Sequence, residues 1–159
     1  MLLPAVALVA LAVACDANND DTVTPEPTPT PTPPEMHDIE IQLETSQPVY
    51  AIGETVLFTI VATNTSGQEI GLEFPTGQRF DVEIEQDGEV VWAWSDGRVF
   101  TQAVQYVDLG PGESLEYEAT WDQVGRDEQP AAAAVYAARA FITATGVDEE
   151  AVVEFAIED

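Results

Sequence analysis

The sequence predicts an all-β fold, an antiparallel sandwich of about eight strands, and three observations carry that prediction. Apolar residues alternate with acidic or polar ones in one short run after another. Turn-forming dipeptides and Gly/Pro breaks fall between the runs. No segment has the apolar spacing of an amphipathic helix.

The elements follow in order. Ile39, Ile41 and Leu43 mark a first strand with one buried face, and the apolar run Thr55 to Thr63 marks a second. Asn64-Thr65-Ser66-Gly67 closes it with turn residues. Ile70, Leu72 and Phe74 form a third run. Phe80, Val82 and Ile84 form a fourth, with Asp81, Glu83 and Glu85 facing the other way. Asp87-Gly88 is a two-residue hairpin signal leading into Val90, Trp92 and Trp94, which alternation places on one face. Asp96-Gly97 marks a second tight turn, and Gly110-Pro111-Gly112 a wider break. Leu115, Tyr117, Ala119 and Trp121 then alternate with Ser114, Glu116, Glu118 and Thr120. Ala131 to Ala134 has helix propensity, but Pro130 precedes it and β-branched and aromatic residues follow. Gly146-Val147-Asp148 joins the last two strands. Eight or nine such strands in about 120 residues give an immunoglobulin-like sandwich. Its expected core includes Phe80, Trp92, Trp94 and Trp121, because tryptophans at alternating strand positions pack inward more often than they form a binding platform.

Composition narrows the function. The 159 residues carry 30 Asp+Glu against 4 Lys+Arg, a formal net charge of -26. A nucleic-acid binder needs clustered basic residues, so that class is excluded. All four cations are arginines: Arg79, Arg98, Arg126 and Arg139. Hydrophobic residues still make up 45% of the chain, enough to fold. Acid excess without lysine suggests a high-salt environment, in which salt screens the self-repulsion. One cysteine and one histidine leave no disulfide framework, multi-residue metal centre or His-based triad, and no cofactor is expected. Ser46, Ser66, Ser95 and Ser114 have no activating histidine in a motif context. The pairs Glu83/Glu85 and Glu116/Glu118 read as solvated strand faces, not acid–base or calcium sites.

The first residues read as a leader and a stalk. Leu2 to Ala14 is an apolar run too short to span a bilayer comfortably, and it fits the apolar part of a secretory signal. It ends in Ala12-Val13-Ala14-Cys15, like a lipoprotein processing box, so residues 1–15 are expected as a signal ending at a lipidated Cys15. Such a lipid would hold the chain on the outer face of a membrane. The other reading is a plain cleavable signal with a chance thiol. Met1-Leu2-Leu3 lacks the usual basic residue, which suggests a start upstream. Residues 16–35 form an Asp-, Thr- and Pro-rich linker, extended because proline fixes φ and removes the backbone donor. The folded domain is expected over 36–159, as a monomer.

The central third carries an ordered set of motifs. Phe74-Pro75-Thr76-Gly77-Gln78-Arg79-Phe80-Asp81-Val82 comes first, then Asp87-Gly88-Glu89-Val90-Val91-Trp92-Ala93-Trp94-Ser95. Phe100-Thr101-Gln102-Ala103, Leu109-Gly110-Pro111-Gly112-Glu113-Ser114 and Trp121 follow. This text resembles the BsuPI-type intracellular proteinase inhibitor family between about Val56 and Trp121, with weaker likeness to Ile157. The resemblance implies an immunoglobulin-like sandwich and inhibition of a serine protease, a subtilisin-like enzyme being the expected target. Where that family has a Pro-Gly-Thr-Tyr-like turn before its penultimate strand, this chain has Pro130 followed by four alanines.

Two polar segments are candidate partner-binding sites. Gln78, Arg79 and Asp81 form either a recognition loop with Arg79 as the contact, or a set of backbone-bonding side chains at strand ends. Ser95-Asp96-Gly97-Arg98-Val99-Phe100 lies between strands, where a rigid scaffold displays its contacts, with Ser95, Asp96, Arg98 and Phe100 as the candidate contacts; the plainer reading is a tight turn with Phe100 tucked inward. Asn64-Thr65-Ser66 is a glycosylation triplet on a turn, with Asn64 as the acceptor. The alternative to inhibition is an envelope lipoprotein that makes protein–protein contacts.

Overall fold

The computed structural model describes residues 38–159. The leader, Cys15, the linker and the first two residues of the expected domain lie outside the described residues. Ten strands are present: β1 (Ile39–Thr45), β2 (Val49–Ala51), β3 (Val56–Asn64), β4 (Ile70–Phe74), β5 (Phe80–Gln86), β6 (Glu89–Ala93), β7 (Gln105–Leu109), β8 (Ser114–Trp121), β9 (Ala134–Ile142) and β10 (Glu150–Glu158). The six runs read from the sequence form β1, β3, β4, β5, β6 and β8, with β6 ending one residue before Trp94, and the last two strands on either side of Gly146-Val147-Asp148 are β9 and β10. β2 and β7 are additional.

One sheet is β1-β3-β8, wholly antiparallel. The other is β2-β10-β9-β5-β6, in which β2 runs parallel to β10. A two-stranded ribbon, β4-β7, completes the fold. Strict alternation drives the layering. β3 buries Val56, Phe58, Ile60 and Ala62, and β9 buries Tyr136, Ala138, Ala140 and Ile142. The two faces meet in one core, closed at its centre by Trp121, Tyr136, Phe58 and Phe155. Trp121 meets Tyr136 edge-on at 5.5 Å, and Phe155 stacks on Tyr136 at 5.9 Å. Such aromatic pairs each add about 1 kcal/mol beyond the area they bury. The fold is an antiparallel, immunoglobulin-like β-sandwich.

The Asp87-Gly88 hairpin forms as read, with φ 53° and 82° at its two central residues. The shared face expected for Val90, Trp92 and Trp94 does not hold. The β5–β6 register slips between Ile84 and Glu85, so Val91 is an extra, bulged residue. Trp92 lies opposite core-facing Ile84, whereas Val90 lies opposite outward Glu85. Trp92 and Trp94 are half-buried and pack against the core from its margin; Trp121 and Phe80 are inside it.

The acidic residues occupy outer faces. On the β1-β3-β8 sheet, Glu40 and Glu44 line one edge strand and Glu116 and Glu118 the other, with Thr59, Val61 and Thr63 between them. On the other sheet Arg139 reaches Glu83, Glu85 and Glu150. One sheet therefore has a central cation among its carboxylates, and the other has uncharged residues there.

Candidate functional site

β6 leaves the large sheet at Ala93, and the chain then crosses to the β4-β7 ribbon through residues 94–104 without forming a strand. This crossing segment is tied down at several points. Asp96 N–H donates to Ala93 O and Arg98 N–H to Ser95 O, with Gly97 supplying φ 71°. The Asp96 carboxylate accepts from Ala93 N–H at 3.0 Å and from Arg126 Nε at 2.6 Å, fastening the turn to the segment after β8. The Arg126 guanidinium beside Asp96 holds its carboxyl below the usual carboxylate range, because pairing favours the charged form.

Aromatic packing continues the anchorage. Arg98 lies over the Trp94 ring at 4.2 Å while its Nε donates to Trp94 O at 2.7 Å. Phe100 is half-buried and 5.8 Å from Trp94; Trp94 in turn is 4.3 Å from Phe80, which stacks on Tyr117 at 4.8 Å. A column of rings thus connects the crossing segment to the core. Farther along, Thr101 O accepts from Gly77 N–H at 2.8 Å. A Cβ at Gly77 would lie 2.5 Å from Thr101 Oγ1, so this close approach needs glycine for space, not for φ.

Gln78, Arg79 and Asp81 are drawn into the same region, and their polar atoms are used inside the fold. Gln78 Nε2 donates to Phe80 O and to Asp81 Oδ2. Asp81 is buried, and its Oδ1 accepts from Val82 N–H and from Ser95 N–H, joining β5 to the start of the crossing segment. Arg79 lies over the Phe74 ring at 4.3 Å and donates to Gln105 Oε1 at the start of β7. Thr143 receives the backbone carbonyls of this stretch, its hydroxyl donating to Gln78 O and its N–H to Arg79 O.

The arrangement brings the two candidate segments together, with Gln78, Arg79 and Asp81 supporting the loop that holds Ser95, Asp96, Arg98 and Phe100. Asn64 is elsewhere and is not available as a glycan acceptor. It is 0% exposed, and its Nδ2 donates to both Gln68 O and Leu109 O at 2.8 Å, so a sugar would take one of the two hydrogens these bonds use and would need space the folded domain does not leave. Its Oδ1 accepts from Ser66 N–H and Oγ, which makes the triplet a turn lock.

The sequence put Val99 in the candidate loop without singling it out, and a second feature of the loop went unread. Val99, between Arg98 and Phe100, is 96% exposed. Residues 97–107 contain no Asp or Glu and one charged residue, Arg98; the longer carboxylate-free runs of the described residues, 55–68 and 129–147, pass largely through β3 and β9, whereas this one is mostly exposed loop. That second feature was readable from composition alone. Among the described residues no group of His, Cys, Asp and Glu is arranged to hold a metal ion, and no helix is long and apolar enough to cross a membrane.

The chain is similar to several solved structures and to one family model. The sporulation control protein Spo0M of Bacillus subtilis superposes with TM-score 0.52 at 14% identity, over 78% of this chain and 51% of that one. The CARDB domain of the PF1109 protein from Pyrococcus furiosus gives TM-score 0.46 at 16% identity, over 81% and 95%. The DNA glycosylase AlkC of Pseudomonas fluorescens gives 0.48 at 14% identity, and this chain spans only 31% of its length. No curated protein matches the chain. The family model for the BsuPI intracellular proteinase inhibitors matches residues 43–147, from the end of β1 to the turn before β10. That span contains the whole anchored loop and its supports, and the chain belongs to this family of proteinase inhibitors.

Proposed function

We propose that the domain inhibits a serine protease of the subtilisin-like kind, by occlusion and without chemistry of its own, through the loop after β6. The observation that carries this reading is the anchored, carboxylate-free stretch beginning at Gly97 on a strongly acidic body. Protein interfaces deplete charge at their centres, and a loop without Asp or Glu can be covered without stripping water from carboxylates. A loop already held by Asp96, Arg98, Phe100 and Thr101 loses little freedom on binding, which lets a small interface bind tightly. The lipid anchor on Cys15 and the Pro-rich linker would place this domain outside the cell, held away from the membrane.

The test is a titration of the protein against a subtilisin-like protease in high salt, following residual peptidase activity. Stoichiometric loss of activity is expected. Full activity in the presence of excess, uncleaved protein across several serine proteases would refute the reading. That result would favour the second function, a non-inhibitory envelope lipoprotein that contacts other proteins. One observation points that way: Gln78, Arg79 and Asp81, which carry much of the family likeness, spend their hydrogen bonds inside the fold.

A further inference from the structure

We propose that Val99 is the side chain this domain inserts into the specificity pocket of its protease, and that the pocket is one that takes small branched aliphatic residues. The inference rests on the inhibitor reading and narrows it to a substrate class.

At 96% exposure, Val99 stands apart even from the other exposed apolar residues of the loop region, Val104 at 51% and Tyr106 at 71%. An apolar side chain left in water forgoes the burial that drives the rest of the chain to fold. Its neighbours, by contrast, are fixed. Arg98 is bound to Trp94 through both its ring and its carbonyl, and Phe100 rests on the same ring. Thr101 is held by Gly77. The backbone therefore presents one free side chain between pinned residues, the arrangement a rigid inhibitor loop needs.

The alternative insertion residue is Arg98, and its geometry argues against that role. To enter a pocket it would have to give up the 2.7 Å bond to Trp94 O and the ring contact at 4.2 Å. Valine also selects among pockets. A pocket built for Lys or Arg would keep a buried carboxylate without a partner, and a deep aromatic pocket would stay partly empty. A shallow aliphatic pocket is the one that Val99 fills.

The test uses the intact protein and its variants against four serine proteases, in high salt. One cleaves after small aliphatic residues, one after aromatic residues and one after basic residues; the fourth is a subtilisin. Wild type should inhibit the first most strongly, or the subtilisin if its pocket accepts valine. Val99→Ala should weaken that inhibition by about tenfold, the usual effect of losing methyl groups from a filled pocket. Val99→Lys should abolish it and create inhibition of the protease that cleaves after basic residues. Arg98→Gln removes an anchor of the loop and should weaken inhibition, while leaving the order of preference among the four proteases as in wild type. Thermal unfolding of each Val99 variant should match wild type, since Val99 is almost wholly in solvent. If wild type inhibits but Val99→Ala and Val99→Lys inhibit the same enzymes equally well, the inserted residue is elsewhere and only this inference falls. An Arg98→Gln protein whose preference shifts to another of the four proteases, with the Val99 variants unaffected, overturns it in the same way. Should wild type inhibit none of the four, the inhibitor reading itself fails, and this inference with it.

Discussion

Replacing Gln123 should loosen one end of the sandwich more than any surface change would. Gln123 follows β8 in the left-handed region, at φ 60°, and is 2% exposed. Its Oε1 accepts from Gly53 N–H at 2.8 Å, and its Nε2 donates to Ala51 O at 2.9 Å and Glu54 O at 2.8 Å. One amide thus satisfies both the donor and the acceptors of the turn after β2. Three such bonds at a net ~1 kcal/mol each, plus the space left by a shortened side chain, put Gln123→Ala at about 3–4 kcal/mol. Urea unfolding in molar KCl, followed by tryptophan fluorescence, should show a midpoint lowered by ~2 M. Gln123→Glu keeps the shape but places an acceptor where Ala51 O and Glu54 O need a donor, so at neutral pH it should be at least as damaging. A Gln123→Glu protein within about 1 kcal/mol of wild type would show that the amide nitrogen does not hold this turn.

Three other perturbations test separate parts of the account. Gly77→Ala forces its Cβ against Thr101 Oγ1, 2.5 Å away, and should cost about 1 kcal/mol while freeing the loop. Limited proteolysis should then cut within residues 97–104 faster than in wild type, and unchanged cleavage would show that the Gly77–Thr101 contact is not an anchor. The Asp96–Arg126 pair is exposed, so Asp96→Asn should lie within about 1 kcal/mol of wild type at neutral pH. The folded pKa of Asp96 is lowered, so its contribution is present above the ordinary carboxylate range. It is lost as pH falls through the lowered value, and the two proteins should converge in stability there. A difference that grows on acidification would contradict this pairing. Finally, with a net charge of -26, the protein should melt at a lower temperature in dilute buffer than in molar KCl. Equal melting temperatures would mean that the carboxylates do not repel enough to matter.

Fold class and core were legible because burial in a half-solvated strand is a local periodic property. Ile39, Ile41 and Leu43, or Phe80, Val82 and Ile84, declare their buried face within a few residues, and the structure buries every one of them. The Asp87-Gly88 turn is equally local, since φ > 0 is a demand on two residues alone. The family likeness was legible for a related reason: its motifs are the residues the fold uses for its own wiring, in fixed order.

What remained for the tertiary structure depends on partners distant in sequence. β2 is three residues long and exists by pairing with β10 at the far end of the chain, and no periodicity can appear in so short a run. The bulge at Val91 turns Val90 away from Trp92 because of where β5 lies, not because of the text of β6. Gln123 looks like any polar loop residue until the turn at Gly53 is brought to it across 70 positions. The same holds for the candidate site. Its residue types were readable, but the sequence could not separate the fixed side chains from the free one. Arg79 and Arg98 looked like contacts and are held by Phe74, Gln105 and Trp94, whereas Val99 had no pattern to mark it. Exposure is what packing leaves over, and it is decided only when the whole chain has closed on itself.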